Sequence, residues 1–162
     1  MVDQLTGLAN RRRIESLLEF QLIEMKRFKI KFCVVFLDID DFSKFNNTYG
    51  HDLGDAVLKT ISKSVMHSVR KTDLFGRWGG EEFIGIYEIQ EDNDALIIAE
   101  KIRVLIANSQ IAYNKESLSV TASIGVTAAK TDDTMDSIVK RADSLMYKSK
   151  QSGKNRVTSD AR

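Results

Sequence analysis

Gly79-Gly80 sits between two β-like runs, Leu74–Trp78 and Glu82–Ile89. A Gly-Gly pair in that setting signals a two-residue hairpin, because the turn needs positive φ. It commits the middle of the chain to an antiparallel pair of strands. Phe32–Ile39, β-branched and aromatic, reads as a buried strand. Leu118–Ala128, rich in Val, Thr and Ile, reads as another, and Arg156-Val157-Thr158 as a closing one. The chain has no proline, so glycines and Asn/Asp clusters mark its turns.

Helical spacing fills the intervals. Ile14, Leu17, Leu18, Leu22, Met25 and Phe28 predict a helix over about 10–28, with Asn10 as N-cap. Arg11-Arg12-Arg13 faces the positive end of that helix dipole. A short helix through Phe42 and Phe45 precedes a polar turn, Asn46 to Gly50, and an amphipathic helix then begins near Leu53. Ile98 to Ile106 and Met135 to Met146 give two more. After the opening helix the order β-α-α-β-β-α-β-α-β predicts an α/β (α+β) fold of ferredoxin-like plan. Its mainly antiparallel central sheet holds one hairpin and is covered by helices.

The 162 residues suffice for one domain with its own core. With 24 Lys+Arg against 23 Asp+Glu, bulk charge gives no sign of nucleic-acid binding. The longest apolar run, Phe32–Leu37, is far short of the ~20 residues of a membrane helix. Met1-Val2-Asp3 does not open a secretion signal. The single cysteine, Cys33, excludes an intrachain disulfide and suits a reducing cytosol.

The chemistry gathers in carboxylates. Asp38 and Asp40 are two apart at the end of a buried strand, which turns both to one face. Glu81 and Glu82 leave the hairpin turn. Such acids can supply the hard oxygen ligands that Mg²⁺ shares with phosphates and water, as phosphoryl transfer requires. Gly80 would let a phosphate or base approach the backbone.

Gly79-Gly80-Glu81-Glu82-Phe83 resembles the signature of GGDEF-domain diguanylate cyclases in its GGEEF form. Five further blocks resemble that family in order: Asp3 to Arg12, Asp38-Ile39-Asp40-Asp41-Phe42, Asn46 with Gly50 to Asp55, Ala122 to Val126, and Arg141 to Lys150. Together they cover nearly the whole chain. The resemblance implies a single GGDEF catalytic domain over 1–162, with a nucleotidyl-cyclase-like core. Its activity would join two GTP into cyclic di-GMP and release two pyrophosphates. Two copies would face each other across a two-fold axis in a transient homodimer.

Carried over residue by residue, the resemblance implies that Asp38, the Ile39 carbonyl, Glu81 and Glu82 hold Mg²⁺. Mn²⁺ satisfies the same oxygen set. Glu81 or Glu82 would also favour loss of the 3′-hydroxyl proton. Asn46 and Asp55 would read guanine, whose adjacent N–H donors suit a carboxylate, and His51 would order that loop or touch substrate. Lys150 and Lys154 would bind phosphates. Arg70 and Asp73 match an R-x-x-D inhibitory site for the product, with Arg77 and Lys101 assisting.

The chain departs from the family at Ser43, where a lysine is usual. Lys44, next along, is turned by ~100° on a helix, so weaker nucleotide affinity is expected. Asn47 replaces an aspartate. The resemblance also implies a bacterial, cytoplasmic catalytic fragment of a longer sensor-cyclase, without its upstream sensor and stalk and mostly monomeric. An alternative from another class is a weak or inactive module that senses GTP or cyclic di-GMP.

Overall fold

The computed structural model describes residues 1–161. Five strands form one sheet in the order β2-β3-β1-β6-β7. They are β1 (Phe32–Ile39), β2 (Leu74–Gly79), β3 (Glu82–Glu88), β6 (Ala122–Ala128) and β7 (Arg156–Ser159). All neighbours are antiparallel except β6 and β7. The helices are α1 (Arg11–Phe28), α2 (Phe42–Tyr49), α3 (His51–Met66), α4 (Asp94–Ala107) and α5 (Met135–Gln151). A separate two-stranded hairpin, β4 (Ile111–Tyr113) with β5 (Glu116–Leu118), stands off the sheet.

Strand alternation divides the core. Cys33, Val35, Leu37 and Ile39 of β1 face the cluster built from α3 and α4. Phe32, Val34 and Phe36 face α1 and α5, through Ile14, Leu18, Ala142 and Met146. The period of two then assigns Asp38 to the α5 side of the sheet. Gly125 of β6 lets α5 pack closely. A Cβ there would stand 2.8 Å from the Leu145 carbonyl carbon and would overlap the Ala142 oxygen and the Met146 nitrogen.

Three expectations are corrected. The hairpin loop is Gly80-Glu81, not Gly79-Gly80. Gly79 pairs with Glu82, and the ladder is irregular between Arg77 and Gly79. Gly80 takes φ +44°, the positive value the turn needs. The polar stretch after Phe45 is helix, not turn. The Phe45 and Tyr49 rings pack at a tilt with centroids 4.9 Å apart, Tyr49 meets Tyr113 of β4, and only Gly50 at φ +95° separates α2 from α3. Finally, Leu118–Ala128 is not one strand, because the chain leaves β5 at Leu118 and enters β6 at Ala122.

Candidate functional site

The carboxylates meet where β1 ends. Asp38 lies directly across the β1–β3 ladder from Glu82. The Ile39 amide donates to the Glu81 carbonyl at 3.1 Å, so the hairpin loop is tied to the same strand end. Burial pushes the Asp38 carboxyl above its ordinary value, and the charges of Glu81 and Asp40 add to this, against the pull of Lys150. Burial raises Glu82 likewise, with Asp38, Asp143 and Glu81 contributing. Like charges crowded at a half-buried strand end attract a cation.

One cation already sits there. Lys150 Nζ, in the last turn of α5, donates to Asp38 Oδ1 at 2.9 Å, to Asp40 Oδ1 at 3.1 Å and to the Ile39 carbonyl at 3.5 Å. Lys154 Nζ pairs with Asp41 at 2.5 Å. Among the described residues no three His, Cys, Asp or Glu side chains enclose a metal by themselves. The donor set fits Mg²⁺ in its usual manner: few carboxylates, one carbonyl, and the remaining positions left to phosphate and water.

Asp40 has a different role from Asp38, one its spacing did not reveal. It is buried and accepts from Ser123 Oγ (2.6 Å), Thr121 Oγ1 (2.7 Å), the Asn155 amide (3.0 Å) and Lys150. Burial would raise its carboxyl, but these bonds outweigh burial and hold it below the usual value.

The nucleotide-reading candidates lie on α2 and α3. Asn46, in α2, packs its amide against Gly54 of α3, and its Oδ1 is buried without a hydrogen-bond partner. His51 and Asp55 lie one turn apart on α3, both exposed. Gly80 is exposed at the hairpin tip.

Arg70, Asp73 and Lys101 line a cavity of about 420 Å³ between β3 and α4. Asp73 is held by its own turn and by the end of β3: it accepts from the Arg70 guanidinium at 3.1 Å and from the Glu88 amide at 3.0 Å. Arg70 also donates to the Glu88 carbonyl at 2.9 Å. Arg77 is not among the residues lining this cavity. Its guanidinium donates to Gly80 O at 2.9 Å and to Asp3 at 3.3 Å, while its amide bonds Ala9. It therefore braces the N-terminal turn against the β2–β3 hairpin. Arg11 lies over the Trp78 ring, 4.0 Å from its centroid, and also serves that end of the sheet.

The family description "Diguanylate cyclase, GGDEF domain" matches residues 1–156. The chain belongs to the GGDEF-domain family. The response regulator PleD of Caulobacter vibrioides is 42% identical over 164 residues, 99% of this chain and 36% of that protein. The diguanylate cyclase DgcZ of Escherichia coli is 35% identical, over 96% of this chain and 52% of that protein. This GGDEF domain thus spans about a third to a half of such curated relatives. Among solved structures, the GGDEF domain of DgcB from Caulobacter crescentus in complex with c-di-GMP superposes with a TM-score of 0.92. It is 32% identical and matches 98% of this chain and 92% of that one. The active GGEEF domain of a diguanylate cyclase from Vibrio cholerae gives a TM-score of 0.86 at 30% identity, over 96% of this chain and 99% of that one. No helix of the GGDEF domain here is long and apolar enough, over the described residues, to cross a membrane.

Proposed function

We propose that this domain condenses two GTP into cyclic di-GMP, in a transient pair of identical domains. The observation that carries the reading is Asp38 facing Glu82 across β1 and β3, with the Ile39 carbonyl beside them and a cation seated on Asp38 and Ile39. Asp38, Ile39, Glu81 and Glu82 would hold the divalent ion. When bound, that ion would neutralise phosphate charge and favour ionisation of the attacking hydroxyl.

The chain's own residues do the rest. Asn46 and Asp55 bind guanine, Asp55 accepting from its N1–H and N2–H₂ donors. Lys150 and Lys154 attract the triphosphate, and His51 borders the base site. Glu81 or Glu82, at the hairpin beside the Asp38 strand end, would take the 3′-hydroxyl proton. The hydroxyl oxygen forms a bond to the α-phosphorus held by the opposite domain. The α–β bridging P–O bond breaks, and pyrophosphate leaves. Each domain of the pair contributes one such step.

We further propose that Arg70, Asp73 and Lys101 bind the product and lower activity. The cavity that these three residues line supports this, and a relative of closely similar fold crystallised with c-di-GMP supports binding of that molecule by the fold. A second reading, a nucleotide-sensing module without turnover, draws support from Ser43 and from the Lys150–Asp38 pair, which occupies the acid in this structure.

Incubation with GTP, ATP and Mg²⁺, followed by product identification by mass, tests the reading. Cyclic di-GMP from GTP alone, lost in Glu82→Ala and Asp38→Ala, is the expected result. Bound GTP without product would favour the sensing module. Activity retained in both variants would overturn the mechanism.

A further inference from the structure

The Lys150 ammonium has three N–H bonds: two are held by Asp38 and Asp40, and the third reaches toward the Ile39 carbonyl at a longer 3.5 Å. In this arrangement none is wholly free for a phosphate. Two of the three acceptors, Asp38 and Ile39, are the oxygens assigned above to the divalent ion. Lys150 and that ion therefore need the same pair of atoms.

The two aspartates differ in how freely they can change partner. The described hydrogen bonds to the Asp38 side chain come from Lys150 alone. Asp40 accepts four, two on each oxygen: Ser123 and Lys150 on Oδ1, Thr121 and the Asn155 amide on Oδ2. That fills a carboxylate's capacity. Its partners come from β6, the loop before it, α5 and the turn leading into β7, which fixes Asp40 in place.

We propose that Asp40 is a positioning residue that tethers Lys150 as the resident counter-ion of the Asp38–Ile39 pair, and that a divalent ion displaces Lys150 from that pair while Asp40 retains it. The displaced ammonium then has two N–H bonds free at the edge of the site, where a phosphate would lie. Cation loading and phosphate capture are thereby coupled through one side chain. This inference rests on the reading of Asp38 and Ile39 as cation ligands, and its test separates the two.

Mn²⁺ binding to the full chain without nucleotide, followed by electron paramagnetic resonance of the free ion, is the first measurement. Asp38→Asn is expected to weaken it strongly. If it does not, the cation-site reading itself falls. Lys150→Gln removes the competitor and is expected to tighten Mn²⁺ binding about tenfold, the scale of one charge near a partly exposed pair. Unchanged or weaker binding in Lys150→Gln, beside the expected loss in Asp38→Asn, overturns the competition and leaves the site reading standing.

The second measurement follows the Lys150 ammonium resonance by NMR during Mg²⁺ titration. In the wild-type chain the resonance should shift yet stay visible, because Asp40 holds the displaced group. In Asp40→Asn it should broaden away once Mg²⁺ is bound, through free exchange with water. A merely structural role for Asp40 would lower the melting temperature and leave the Mg²⁺ response of that resonance as in wild type. That result overturns the tether. Lys150→Gln keeps the competition testable even if Asp40→Asn folds poorly.

Discussion

The Asn46 amide fills the space that a side chain on Gly54 would need: a Cβ at residue 54 would overlap Asn46 Oδ1 and lie 2.9 Å from Asn46 Cγ. Gly54 sits inside α3 at an ordinary helical φ, so the backbone tolerates alanine and helix propensity favours it by up to ~1 kcal/mol. The displaced group is the end of a flexible side chain. Gly54→Ala should therefore leave the melting temperature unchanged or slightly raised, while affinity for a non-hydrolysable GTP analogue falls at least about tenfold by lost guanine positioning. Wild-type affinity, measured by calorimetry, would remove Asn46 from the base site.

Gly125 is the contrasting case. Its missing Cβ faces α5 backbone, at Ala142, Leu145 and Met146, which cannot rotate away. Gly125→Ala should force α5 off the sheet and cost about 3 kcal/mol or more by overpacking. A urea midpoint within experimental error of wild type would refute the close approach.

Asp133 should govern part of the acid stability. Arg141 grips both of its oxygens, at 2.8 and 2.7 Å, and Ser137 Oγ and the Lys130 amide donate as well. Burial opposes ionisation, but these partners prevail and bring its pKa from 3.8 down to about 2. A depressed carboxyl stabilises the fold above its unfolded value and loses that contribution as pH falls through the folded one. Asp133→Asn should cost about 2 kcal/mol at neutral pH. The difference from wild type should shrink below about pH 4 and vanish near pH 2. Denaturation curves at several pH values give the check, and a pH-independent difference would contradict it.

Tyr87 carries a buried hydroxyl with no partner among the described residues. Burial raises its pKa, and the nearby Asp73 charge adds to it. Tyr87→Phe removes a desolvated group that makes no bond, so it should be neutral or stabilising by up to about 1 kcal/mol. Marked loss of stability in thermal unfolding would mean that the hydroxyl is bonded after all.

Much of this was legible from local pattern. The apolar run of β1, the glycines of the hairpin and the helical spacing in α1, α4 and α5 each state their element directly. Packing decided the rest. Asn46-Asn47-Thr48 is poor helix, yet α2 continues because Phe45 and Tyr49 meet across it and Tyr113 closes against them. The short, largely exposed strands β4 and β5 carry no periodicity to read. The placement of Asp38 opposite Glu82 follows from alternation plus the hairpin. The partner of Asp38 does not, because Lys150 lies 112 residues away along the chain and only the return of α5 over β6 brings it back. Arg77 looked close to Arg70 by number, but strand direction carries it to the other end of β2, beside Asp3.

The sheet order gives the two walls of the site unequal mechanical standing. β1 is bonded along its length to a strand on each side, so the amides before Asp38 should be among the last in the molecule to take up deuterium. Glu81 rides a two-residue loop at the sheet's end and should exchange early. An acid held in the middle of the sheet thus stands beside one carried on a loop, and the loop-borne one is the easier of the two to reposition around whatever enters between them.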